Sequence, residues 1–163
     1  MIFDIYSSEE LFYSINIVWK KYKRDKQKSV ETLLYVIMGL NHLREWIAPH
    51  YKPQKNKCGI LCWKTPANDA ERFSKTIYEN ASFETIRRLC NKTKHLGKKR
   101  KVTTSSDHDV PFDEWSDIDA VRNWDKAPAS AYFVDGINII HIVDKVINFY
   151  QTKWFDKKSI IFK

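Results

Sequence analysis

Apolar residues recur at steps of three and four positions through the first third of the chain, and this spacing predicts two long helices. Ser7 and Glu10 form the pattern of a capping box and open a helix over about residues 8–26. Ser29 opens the second helix, which ends before Pro49 and is apolar around more than half of its surface, as expected of a central helix. Its apolar stripe consists of Leu33, Ile37, Leu40, Leu43 and Ile47.

Two further helices follow a stretch that breaks the pattern. Proline and glycine residues between 50 and 67 predict a loop. A short helix begins at Asn68 or Asp69, and a fourth helix runs from about Ser82 to Gly97, where glycine is a typical helix stop. The apolar side of the fourth helix consists of Phe83, Ile86, Leu89 and Cys90.

The end of the chain predicts a hairpin and a closing helix. The segments KVTTSS (101–106) and AYFVDG (131–136) are rich in β-forming residues, so they are expected to pair around a long insertion. This insertion, at about 98–131, is acidic and lacks helical periodicity. The predicted fold is mainly α: an up-and-down bundle of four to five helices in a single domain over residues 1–163, with a small β-hairpin before the last helix. The apolar stripe of that last helix consists of Ile139, Val143, Val146 and Tyr150.

Composition indicates a class of partner. The 163 residues carry a net charge of +8, which favours polyanions such as RNA. A hydrophobic fraction of 43% excludes an intrinsically disordered chain. The first ten residues lack the basic and apolar regions of a secretory signal. The longest apolar run, LLYVIMGL, is too short to cross a bilayer, so we expect a cytoplasmic protein without membrane contact.

The candidate chemistry lies on the fourth helix, in the stretch RRLCNKTKHLGKKRK. Arg88, Asn91 and His95 are three, four and seven positions apart, so they share one side of a helix. Arginine binds a phosphate with two hydrogen bonds, and histidine transfers protons to and from RNA hydroxyls near neutral pH. Asn91 would orient one of them, and this chemistry needs no cofactor or metal ion. Nucleic-acid contacts are expected from the surrounding basic residues: Arg87, Lys92, Lys94, Lys98, Lys99, Arg100 and Lys101.

These residues resemble the motif of the HEPN superfamily, which consists of small helical bundles common in bacterial defence and toxin–antitoxin systems. Its motif is an arginine, often followed by a polar residue, and a histidine four to six residues further on. Arg88 and His95 match with a six-residue gap, while a second register puts Cys90 in the place of the arginine, directly before Asn91. The segments LCNKTKH and YQTKWF also resemble uncharacterised bacterial and phage proteins that carry CN-x-x-KH in a helix.

The resemblance implies a metal-independent endoribonuclease or RNA binder. It also implies a homodimer in which the motifs of the two protomers meet at the interface. A cognate antitoxin or another partner protein would be expected beside RNA.

Other interpretations of the same residues stay open. The chain could be a non-catalytic binding or scaffolding module, with the helix-end motif structural and the basic surface docking a protein or a nucleic acid. The exposed tryptophans among the six in the chain could stack bases beside the basic patch. Cys58 and Cys62 have a spacing found in zinc sites but lack a second pair of ligands.

The acidic insertion carries the remaining alternative, a Mg²⁺-dependent enzyme. Carboxylates suit this ion, although an acidic loop that offsets the basic patches explains the same residues. The candidate ligands are the pairs Asp107/Asp109 and Asp117/Asp119.

Overall fold

A computed structural model describes residues 5–94, 104–106, 111–112 and 131–156, and it is mainly helical with small antiparallel hairpins. The helices are α1 (Ser8–Arg24), α2 (Val30–Ile47), α3 (Asp69–Tyr78), α4 (Ala81–Lys94) and α5 (Ile139–Tyr150), and α5 continues into a π-helical turn at Gln151–Phe155. The strands are β1 (Gln54–Lys55), β2 (Leu61–Cys62), β3 (Thr104–Ser106), β4 (Pro111–Phe112), β5 (Tyr132–Val134) and β6 (Ile137–Asn138). The predicted fold class is confirmed.

The first two helices begin where their capping residues predict. The Ser7 hydroxyl accepts a hydrogen bond from the Glu10 N–H at 3.1 Å, and the Glu10 carboxylate accepts one from the Ser7 N–H at 3.2 Å. Ser29 caps α2 in the same way, through the Thr32 N–H at 3.0 Å. α1 packs closely on α2 at Gly39, where an added Cβ would lie 2.9 Å from the Ile15 side chain.

Asparagine side chains cap the next two helices. The Asn68 side chain accepts from the Glu71 N–H at 2.9 Å and starts α3. The Asn80 side chain accepts from the Phe83 N–H at 3.1 Å, so α4 starts at Ala81, one residue before the predicted Ser82.

The breaker residues predict a loop over the whole stretch between 50 and 67. Part of this stretch is instead a short hairpin, formed by β1 and β2. The Asn56 carboxamide accepts hydrogen bonds from the Cys58 N–H at 3.0 Å and the Ile60 N–H at 2.9 Å, which closes the turn. Gly59 takes the positive φ of 75° that the turn requires. Side-chain hydrogen bonding by one asparagine thus organises a hairpin with exposed strands.

The predicted pairing of KVTTSS with AYFVDG is confirmed. β3 pairs antiparallel with β5, with Thr104 opposite Val134, and the four strands follow the order β4-β3-β5-β6. β5 then turns directly into β6 through Asp135 and Gly136, whose φ angles of 49° and 77° suit a tight two-residue hairpin turn. This sheet leads straight into α5, since β6 ends at Asn138.

The core lies between the helices and is centred on Tyr150 of α5, which is fully buried. Its ring lies 6.2 Å from the ring of Phe12 in α1, 5.5 Å from Phe73 in α3 and 6.4 Å from Phe83 in α4. Its hydroxyl donates a hydrogen bond of 2.8 Å to the carbonyl of Leu40 in α2. The predicted apolar stripes of α2, α4 and α5 are all buried in this core.

The carboxyl end of α1 is held by a buried lysine from the segment that follows it. The Lys28 ammonium donates hydrogen bonds to the carbonyl oxygens of Tyr22 at 2.9 Å and Lys23 at 3.2 Å, and to that of Asp25. It also lies 5.3 Å from the centre of the Tyr22 ring. The last carbonyls of a helix lack partners within the helix, so this cation satisfies them, and α1 ends at Arg24 rather than at residue 26.

We expect Lys28→Met to lower the free energy of unfolding by about 1–3 kcal/mol, because the substitution leaves buried carbonyls without a donor. Chemical denaturation monitored by circular dichroism measures this difference. Lys26→Met is the matched control, since Lys26 is exposed two residues earlier in the same segment. Equal stability of the two variants would contradict the capping role.

Stability is also expected to fall at alkaline pH. Burial raises the pKa of the Tyr150 hydroxyl well above its ordinary value of 10.0, and the nearby Arg44 opposes this effect only in part. Above pH 10 the unfolded chain therefore binds fewer protons than the folded chain, so stability is complete below pH 10 and decreases as the pH rises further. Tyr150→Phe should be about 1 kcal/mol less stable at pH 7, through loss of the hydrogen bond to Leu40, and should lose less stability between pH 9 and 11. Urea titrations of both proteins across this range measure the two slopes, and identical slopes would count against the argument.

Candidate nucleic-acid interface

The buried side of α4 fixes the direction of its other side. Phe83, Ile86, Leu89 and Cys90 are each exposed by 1% or less and pack toward α2 and α5. An α-helix completes one turn every 3.6 residues, so residues half a turn away from this buried stripe face away from the core. The direction in which α4 presents its polar residues is therefore set by apolar packing.

Arg88 and Asn91 lie on this outward side, and both are partly exposed. They are one helical turn apart, as the spacing predicts, so the structure brings these two residues together on one surface. His95 follows directly after Lys94, the last residue of α4, and lies outside the described residues. The full grouping of Arg88, Asn91 and His95 stays a prediction.

Cys90 bears on the two possible registers of the motif. Its side chain is completely buried in the core beside α2 and α5. A phosphate group approaching from solvent would not meet a residue in that position. Of the two positions that could hold the arginine of the motif, Arg88 is the one that is partly exposed.

Arg87 is held in place by its neighbours. Its Nε donates to the Glu84 carboxylate at 2.8 Å, and a second guanidinium nitrogen also contacts that carboxylate. The guanidinium carbon lies 4.4 Å from the centre of the Tyr78 ring. Arg87, predicted as a nucleic-acid contact, thus stands at the border of α3 and α4 with part of its charge already balanced.

The structure adds a group of residues that the sequence pattern did not indicate, the arginine–aromatic cluster of Arg44, Tyr51, Trp63, Tyr78 and Arg87. The Tyr51 and Trp63 rings stack at 5.2 Å, and the Trp63 and Tyr78 rings meet edge to face at 5.1 Å. The guanidinium groups of Arg44 and Arg87 lie 5.5 Å and 4.4 Å from the Tyr78 ring. Two cations therefore share one aromatic ring next to the start of α4.

Arg44 is the buried member of this cluster, exposed by 7%. One of its terminal nitrogens donates to the Tyr51 carbonyl and to the Ser74 hydroxyl, both at 3.1 Å. Its other terminal nitrogen lies 3.7 Å from the carboxylate of Glu45, which is itself exposed. A buried charge needs such contacts to offset its desolvation. One signal in the sequence points to this residue, because Arg44 directly follows Leu43 and stands four positions after Leu40 in the predicted apolar stripe of α2.

Other predicted contacts fall partly outside the described residues. Lys92 and Lys94 belong to the last turn of α4, whereas Lys98, Lys99, Arg100 and Lys101 lie beyond it, outside the described ranges. The Mg²⁺ candidates Asp107, Asp109, Asp117 and Asp119 also lie outside them. Cys58 and Cys62 are exposed free thiols, and the described part of the chain brings together no three His, Cys, Asp or Glu side chains in a way that could hold a metal ion.

Two further findings concern the chain as a whole and its likeness to known proteins. Within the described ranges, no helix combines the length and apolar composition needed to cross a membrane. Comparison with protein-family models, curated proteins and solved structures finds no match to this chain.

We expect Tyr78→Leu to lower the free energy of unfolding by about 1–2 kcal/mol, because both guanidinium groups lose the face of the ring. Tyr78→Phe is the control, since it keeps the ring and should stay close to the wild type. Urea denaturation followed by tryptophan fluorescence measures both variants. If Tyr78→Phe lowers the free energy of unfolding as much as Tyr78→Leu does, stability depends on the hydroxyl and not on the face of the ring.

Proposed function

We propose that this chain is a HEPN-like endoribonuclease that binds RNA on the outward side of α4 and cleaves it without a metal ion. The observation that supports this proposal is the placement of Arg88 and Asn91 together on that side, with Cys90 buried behind them. The net charge of +8 suits a polyanionic substrate. In this proposal the protein is cytoplasmic and belongs to a bacterial or phage defence or toxin system, in which a cognate antitoxin would be its partner protein.

Each residue of the motif would have a distinct role in this reaction. Arg88 would bind the scissile phosphate and stabilise the negative charge that develops on its oxygens. His95 would transfer the proton of the 2′-hydroxyl or of the leaving oxygen. Asn91 would orient one of these two groups. The RNA supplies its own nucleophile, so the reaction does not depend on a metal-bound water.

The surroundings of α4 suit RNA in two further ways. Arg87 is fixed by Glu84 and Tyr78, so it would present its charge beside Arg88 with little loss of side-chain entropy. Trp63 is partly exposed and already ordered by Tyr51 and Tyr78. An ordered aromatic ring next to basic residues is a suitable platform for stacking a base.

A second candidate function is a non-catalytic binding module. The contacts of Arg87 favour it, because an arginine paired with Glu84 and covered by Tyr78 is well explained by structure alone. Arg88 also interacts within the chain. In this case the basic surface would dock RNA or a partner protein, and His95 would take no part in chemistry.

Incubation with total RNA in EDTA tests the proposal. We expect the wild type to cleave RNA and both Arg88→Ala and His95→Ala to lose activity by about 100-fold or more, since each would remove a group acting in the transition state. Arg72→Ala is the matched control, because Arg72 is an exposed arginine on α3. Cleavage that persists in His95→Ala would contradict the catalytic assignment.

Binding of a labelled RNA separates the two candidate functions. Under the nuclease proposal, His95→Ala still binds RNA while Arg88→Ala binds more weakly. Binding that depends on Arg88 in a wild type that does not cleave RNA would favour the binding module. A wild type that neither cleaves nor binds RNA would contradict RNA as the ligand.

A further inference from the structure

The outer side of α1 carries an ordered pattern of exposed residues. The core-facing side of this helix includes Leu11, Ile15 and Trp19, and the opposite side presents residues at alternating steps of four and three. We name this set the outer stripe: Glu10, Tyr13, Ile17, Lys20 and Arg24. Tyr13 is 69% exposed and Ile17 is 52% exposed, so the middle of the stripe presents apolar surface to solvent. Alternation of four and three is the spacing by which two helices pack along a common seam.

The outer stripe is complementary to a second copy of itself that runs in the opposite direction. When two copies of the stripe run antiparallel and Tyr13 faces Ile17 of the other copy, Glu10 faces Lys20. Each of these opposing pairs joins an acid to a base or two apolar side chains. A parallel arrangement would instead put Glu10 against Glu10 and Lys20 against Lys20, with like charges in contact.

We propose that a second copy of this chain docks on the outer stripe, with the two α1 helices antiparallel about a twofold axis. A twofold interface uses the same surface on both protomers, so that surface must complement itself. The outer stripe meets this condition because the first turn of α1 is acidic and its last turn is basic. A partner of uniform charge would complement only one half of the stripe.

Neighbouring residues of α2 enlarge the surface around the stripe. The Tyr35 hydroxyl lies 3.0 Å from the Ser14 hydroxyl, which places Tyr35 beside the outer side of α1. Tyr35 and Met38 are each 38% exposed. These side chains extend the apolar area that a second copy would cover beyond the two helices at the centre.

The proposed dimer does not depend on the proposed ribonuclease. α1 and α4 each pack against α2 and α5, which places them at opposite corners of the bundle. A dimer through α1 therefore leaves the outward side of α4 open in both protomers. This arrangement differs from one in which the motifs of two protomers meet at the interface.

Sedimentation equilibrium tests for the dimer. We expect a wild-type dimer and a rise in the dimer dissociation constant of about tenfold or more in Ile17→Arg, which would place two cations at the centre of the interface. Ile60→Arg is the matched control, because Ile60 is 62% exposed in the β1–β2 turn, away from α1. Lys20→Glu should also weaken the dimer by opposing Glu10. A monomeric wild type, or an equal rise in the dimer dissociation constant of Ile60→Arg, would overturn the proposal.

Cysteine cross-linking tests the antiparallel register. Tyr13→Cys and Ile17→Cys are introduced separately, with Cys58→Ser and Cys62→Ser removing the exposed native thiols. Mixing the two proteins under mild oxidation should give more disulfide-linked dimer than either protein alone, because residue 13 of one copy faces residue 17 of the other. Cross-links that form best within each single variant would indicate a parallel pairing and overturn the proposed geometry.

Discussion

The bundle depends on one buried tyrosine. Tyr150 contacts aromatic rings from α1, α3 and α4, and its hydroxyl binds a carbonyl of α2, so this α5 residue touches every other described helix. The ring fills the space where the helices converge, while the hydroxyl has a partner that removes the cost of burying it. The positions of the helices are thereby coupled, and α4 in particular is oriented by Phe83 against this ring. The outward direction of Arg88 and Asn91 follows from a contact on the opposite side of their helix.

Most of the helical architecture could be predicted from local features of the sequence. The starts of α1 and α2 depend on side chains within three residues of each helix end, and the apolar stripe of α2 is visible from spacing alone. The pairing of β3 with β5 joins positions 30 residues apart, such as Thr104 and Val134, and it was predictable because β-forming segments flank a stretch without periodicity. The hairpin at β1 and β2 was missed because a single asparagine side chain organises it, which neither hydrophobic spacing nor the breaker residues reveal.

The candidate site also has one part that the sequence predicts and another part that it does not. That Arg88 and Asn91 share a side of α4 follows from helix geometry, so the sequence was sufficient. The arginine–aromatic cluster was not predictable, because its members come from α2, the β1–β2 region, α3 and α4. Arg44 and Ser74, for example, are 30 residues apart and meet only through the packing of α3 on α2. Spacing within one element reveals which residues share a surface, but it carries no information about neighbours from other elements.

The same packing explains why the chain offers two different surfaces at opposite corners. A helix in a bundle buries one side, so its outward side is free to vary without affecting the core. On α4 the outward side bears an arginine and an asparagine, and the neighbouring cluster orders further cations and aromatic rings beside it. On α1 the outward side is apolar at its centre and oppositely charged at its ends. The first arrangement suits a polyanion, whereas the second suits a surface with the same sequence of charges in reverse, so the two surfaces differ in the chemistry of the partner they would bind.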